Sequence, residues 1–120
     1  MKTQKPKNVQ ELLKYQNEFS ETKLWDKLGE YAGKLGKELV YQVLVLYYVM
    51  KSPDISLKTK AIIIGALGYL ILPIDLIPDI MPVVGFTDDA ATIAMALEAV
   101  ATSVTPAIEK QARRKMNDWF

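Results

Sequence analysis

The chain has 120 residues, 50% of them hydrophobic and 24% charged, with no cysteine and no histidine. That is one domain's worth of chain with enough apolar content for a core. It excludes disulfides, thiol catalysis, Cys- or His-based metal sites and histidine-dependent nucleophilic catalysis. The formal net charge of +1 supplies no bulk basic field, so nucleic acid is not an expected partner.

The charge is unevenly placed along the chain. Residues 1–60 carry 11 lysines against 7 acids. Residues 61–108 carry only acids: Asp75, Asp79, Asp88, Asp89 and Glu98. The last twelve residues are again basic, with Lys110, Arg113, Arg114 and Lys115 against Glu109 and Asp118.

In chain order, residues 1–8 read as a flexible tail on a single helical domain that spans 1–120. Val9, Leu12, Leu13, Gln16 and Phe19 fall near helical spacing and predict a short amphipathic helix. Ser20 is a cap before the next helix, which starts near Leu24. There Leu24, Leu28, Tyr31 and Leu35 form an apolar stripe, and Asp26, Lys27, Glu30, Lys34 and Lys37 form the wet face. Gly29, Gly33 and Gly36 each cost a helix about 1 kcal/mol relative to Ala. They point either to a close neighbour or to a break near Gly36.

Leu39 to Met50 is an apolar run interrupted only by Gln42. Propensity alone allows a strand, but no partner strand is in sight, so the run is read as helix. Ser52-Pro53-Asp54 is a turn, and Ser56 caps a helix from Leu57 to about Ile71 that Pro73 ends. Leu72 to Asp89 is a Pro-rich connector, too apolar to be an ordinary solvated loop. Thr87, Asp88 or Asp89 caps a helix from Ala90 to about Val104, and Pro106 kinks it or opens a last helix to Trp119.

A spanning helix needs about 20 mainly apolar residues. Ala61 to Ile74 provides about 21 Å of uncharged helix against a hydrocarbon core of about 30 Å. Ala90 to Ile108 is longer but has Glu98 near its middle. Lysines before the first segment, basic residues after the second and acids between them are the charge layout of a membrane hairpin with both ends cytoplasmic. A soluble bundle with a buried central hairpin explains the same pattern, as does a monotopic protein whose connector dips into one leaflet. The basic start is followed by an amphipathic, charged stretch rather than by the apolar run of a secretory signal. The membrane is therefore expected to be met from the cytoplasmic side, by direct contact with lipid.

The stretch from Gly68 to Asp89 is the most distinctive in the chain. Tyr69, Pro73, Asp75, Leu76, Ile77, Pro78, Asp79, Pro82, Gly85, Asp88 and Asp89 reproduce the signature Tyr-Leu-x-Ser-Pro-Ile-Asp-Leu-Ile-Pro-Asp-x-x-Pro-x-x-Gly-x-x-Asp-Asp. Leu72 stands where Ser is common. On these residues the chain resembles the DUF1232, or YkvA-like, family over about Ser52 to Leu97. The resemblance implies a small, mostly bacterial helical protein of unknown function, of a kind often predicted to be membrane-associated, and brings no activity or catalytic residue with it.

Asp75 and Asp79 lie four apart and share a face if that stretch is helical. With Asp88 and Asp89 they make up to four carboxylates near one turn. Without Cys or His the cation they suit is a hard one, Mg²⁺ or Ca²⁺. The plainer alternative is that these aspartates cap turns and helix starts. Tyr41, Tyr47, Tyr48 and Tyr69 are either an interfacial belt or core packing. Arg113, Arg114 and Lys115 with Trp119 and Phe120 either anchor the last helix on anionic lipid or form a solvated end with an apolar foot. Glu98 is either buried or solvent-facing.

The expected fold is all-α, with four to five helices and a central hairpin joined by the acidic connector. The expected function is that of a non-enzymatic, membrane-associated scaffold or partner-binding unit, with a homo-oligomer among the possible assemblies. The alternative is a soluble bundle whose aspartates bind a divalent cation or a basic partner.

Overall fold

Side-chain oxygens begin most of the helices. In the computed structural model, which describes residues 6–71 and 82–120 (backbone only for 82–89), Asn8 accepts from the Glu11 amide at 3.0 Å and starts α1, Val9–Leu12. Ser20 accepts from the Lys23 amide at 3.3 Å and starts α2, Glu21–Leu35. The helix α3, Lys37–Lys51, follows Gly36 directly. Ser56 accepts from the Thr59 amide at 3.1 Å and starts α4, Leu57–Leu70. After α5, Pro82–Ala99, Thr105 accepts from the Ile108 amide at 3.2 Å and starts α6, Pro106–Met116. Each such cap satisfies a donor that the helix itself leaves open.

The described residues are all-helical, with no strand among them. They form six α-helices rather than four to five. Gly36 is one reason: its φ of +89° stops the helix begun in α2 and redirects the chain into α3. That left-handed backbone suits glycine, which has no Cβ to oppose it. The amphipathic start is also split, because α1 gives way after one turn to a 3₁₀ helix, Leu13–Glu18.

The start of α5 corrects the sequence reading. The helix begins at Pro82 rather than near Ala90, so Thr87, Asp88 and Asp89 lie inside it and are not its N-caps. Proline is tolerated in a first helical turn, where its missing N–H has no partner to lose. Residues 82–89 of the expected connector are thus helical, and its residues 72–81 lie outside the described ones.

The core is built around α4. Every residue from Ile62 to Leu70 except Ile64 is buried. One side of α4 meets α1 and the 3₁₀ segment, and other sides meet α3 and α5. Helix α6 lies along α3, where Ile108 and Ala112 are buried. The closest approach is made at two glycines one turn apart. A Cβ added to Gly65 would collide with the carbonyl of Leu12, with the carbonyl carbon only 2.7 Å away. A Cβ added to Gly68 would collide with the carbonyl of Tyr15, whose carbon is 3.1 Å away. The rings of Tyr15 and Tyr69 meet edge to face at 5.0 Å and close the same contact. Backbone thus packs on backbone, and no methyl group fits between.

Gly65→Ala and Gly68→Ala are each expected to destabilise the fold by about 1–3 kcal/mol, the usual cost of overpacking. Gly33 has open space around it. Gly33→Ala is expected to stabilise by about 0.5–1 kcal/mol. Urea denaturation of the three variants checks both signs.

Candidate functional site

The acidic motif follows the C-terminal end of α4 in the sequence, and that end is held by a lysine. The periodicity places Lys27 on the wet face of α2, but the structure buries it at 8% exposure. Its ammonium donates to the carbonyl oxygen of Leu70, the last residue of α4. A cation at a helix C-terminus meets both open carbonyls and the negative end of the helix dipole. A signal for this was present in the sequence. Lys27 is three residues from Leu24 and four from Tyr31, which puts it at the edge of the apolar stripe.

Asp75 and Asp79 lie outside the described residues, as do the side chains of Asp88 and Asp89. The Mg²⁺ or Ca²⁺ reading of these four aspartates therefore concerns groups that the described structure does not reach. Among the described residues no cluster of three or more acids could hold a metal. Glu98 faces solvent on α5.

The second candidate is a face rich in cations and aromatic rings. Trp25 of α2 stacks on Trp119 at 6.2 Å and meets Tyr47 of α3 edge to face at 4.7 Å. Tyr47 in turn meets Tyr48 at 5.2 Å. Lys115 lies over both tryptophans, at 5.3 and 5.6 Å, and pairs with Asp118 at 2.7 Å. That hydrogen bond raises its pKa above the ordinary lysine value. Arg113 covers Tyr41 at 4.8 Å. Burial pushes the phenols of Tyr41 and Tyr47 up, with Arg113 opposing the shift at Tyr41 and Glu21 adding to it at Tyr47. Tyr47 and Tyr69 are buried and Tyr41 and Tyr48 half-buried, so these rings serve as packing rather than as an exposed belt. Of the two readings of the C-terminus, the apolar foot describes it better, since Trp119 is stacked onto the bundle.

Residues 59–95 match the model of a family described as "Protein of unknown function (DUF1232)". Over this segment the chain is similar to the DUF1232 family. The segment runs through most of α4, the acidic motif and the first fourteen residues of α5. The DUF1232 segment therefore contains most of the helix on which α1, the 3₁₀ segment, α3 and α5 pack. The chain is also similar to the uncharacterized membrane protein YkvA of Bacillus subtilis (strain 168), with 37% identity over 43 residues. That match covers 36% of this chain and 41% of the relative, so it spans about two fifths of the relative's length. No solved structure matches.

Lys27→Met keeps the apolar stem and removes the donor to Leu70. It is expected to cost about 1.5–3 kcal/mol, the worth of a hydrogen bond to a charged group. Lys23→Met, at an exposed position of the same helix, is expected to stay within about 0.5 kcal/mol of wild type. Chemical denaturation of both variants tests the difference.

Proposed function

We propose that the chain is a non-enzymatic helical protein that associates with the membrane through its surface, from the cytoplasmic side, and serves there as a scaffold or partner-binding unit. The observation that carries this reading is the state of α4. Its apolar side chains, the strongest membrane signal in the sequence, are spent on contacts with α1, α3 and α5. Among the described residues, no helix is long and apolar enough to cross a membrane.

The membrane part of the proposal is supported by the relative, which is named a membrane protein. The surface part is supported by the excess of cations at both ends of the chain. Basic groups near an anionic leaflet contribute about 1 kcal/mol each. A binding role is favoured over catalysis by the absence of Cys and His from the sequence, which leaves no ordinary pairing of nucleophile and base.

Cell fractionation of the untagged full chain tests the proposal. The protein is expected in the membrane pellet, and high salt is expected to release it. Retention through both high salt and alkaline carbonate would show integral insertion. Absence from the pellet at low salt would remove the membrane reading altogether.

A further inference from the structure

The surface that meets the lipid can be sought from the way the chain uses its cations. The basic tail of α6 is the obvious candidate in the sequence, yet two of its four cations are engaged within the fold. Arg113 lies on Tyr41, and Lys115 lies on Trp25 and Trp119 and pairs with Asp118. Lys51, at the end of α3, is likewise engaged, by Glu21 and by the Tyr47 ring, but the first turn of α4 presents the opposite situation. Leu57, the first residue of α4, is 86% exposed. Phe120 is the other large hydrophobic exposed among the described residues, at 42%, and it already packs beneath Lys37.

Leu57 does not stand alone. With Lys60 and Ile64 it lines a groove of about 490 Å³ that also takes in Phe19, Met50 and Ile55. The spacing of Leu57, Lys60 and Ile64 puts all three on one face of α4. Lys51, Lys58 and Lys60 are exposed around the leucine. Two acids are nearby. Glu21 pairs with Lys51 at 3.6 Å, and Asp54 lies exposed in the turn. Lys58 and Lys60 have no acidic partner among the described residues. A second groove shares Lys51, Ser52 and Pro53 with the first and continues along Tyr48, Ile108 and Gln111.

We propose that the α3–α4 turn and the first turn of α4 form the docking face for an anionic phospholipid bilayer, with Leu57 entering the acyl boundary and Lys58 and Lys60 meeting lipid phosphates. This rests on the surface-association reading above and gives it an address. An aliphatic side chain ringed by lysines combines the two attractions that hold peripheral proteins on membranes, apolar burial and charge. The lysine stems reach along the apolar surface while their ammonium groups stay at headgroup level. The face complements an anionic bilayer in charge as well as in polarity, which is the ground for choosing this occupant.

The test is co-sedimentation of the full chain with vesicles of phosphatidylcholine alone and of phosphatidylcholine with 30% phosphatidylserine. Wild type is expected to bind the anionic vesicles and to bind the neutral ones at least about ten-fold more weakly. Leu57→Ser is expected to weaken binding about ten-fold or more, the worth of burying a leucine. The pair Lys58→Glu, Lys60→Glu is expected to weaken it more than about thirty-fold. Both changes are at exposed positions and should leave thermal unfolding nearly unchanged. Lys34→Glu, at the far end of α2, is expected to bind like wild type.

Undiminished binding of the Leu57 and lysine variants would overturn this face while leaving surface association standing. Binding to native membranes but not to anionic vesicles would overturn the lipid as occupant and favour a membrane-resident protein. Binding to neither would overturn the surface-association reading as well.

Discussion

The fold depends on backbone meeting backbone at Gly65 and Gly68. With a side chain at either position, the segment carrying Leu12 and Tyr15 could not come down onto α4. With glycine there, α4 is covered on the side that would otherwise stay open, and its apolar residues become the centre of the bundle. A helix this apolar needs some non-aqueous environment. The glycine contact makes that environment protein. The same contact brings Tyr15 against Tyr69, so residues that precede the DUF1232 segment pack directly on it.

Charge is used in two ways on this framework. Where a cation lies against the bundle it is tied to it, as with Lys27 on the end of α4, Arg113 on Tyr41 and Lys115 on paired tryptophans. Beside Leu57, Lys58 and Lys60 are instead exposed and pair with no acid among the described residues. The first use stiffens the fold, because a guanidinium or ammonium over an aromatic face is attracted to the ring quadrupole. The second leaves attraction available to a partner. A protein with net charge +1 can therefore carry a locally cationic, apolar-tipped face.

Much of the fold was legible in the sequence because it rests on local chemistry. Ser20, Ser56 and Pro106 mark helix starts that the structure keeps, and the run from Leu39 to Met50 is helical as read. Gly36 was legible as a possible break and is one. The burial of Lys27 was only hinted at by its place at the edge of the stripe, since only tertiary packing tells where its ammonium goes. The start of α5 was missed because Pro82 and Gly85 read as connector. A proline in the first helical turn breaks nothing, and the cost of one glycine is about 1 kcal/mol. Of the candidate site, the motif itself was plain in the sequence. What its aspartates do depends on geometry at residues outside the described ones. The exposure of Leu57 was hidden because its helical spacing with Ala61 and Ile64 assigns it to the apolar side of α4.

The central claim is that α4 is a protein-core helix and remains one on the membrane. Hydrogen–deuterium exchange of the α4 amides, followed by mass spectrometry on the full chain with and without anionic vesicles, tests it most directly. The account predicts slow exchange from Ile62 to Leu70 in both conditions, with vesicles adding protection only near Leu57. Rapid exchange of α4 without lipid, turning slow when vesicles are added, would mean that the membrane rather than the bundle covers this helix, and would contradict the account.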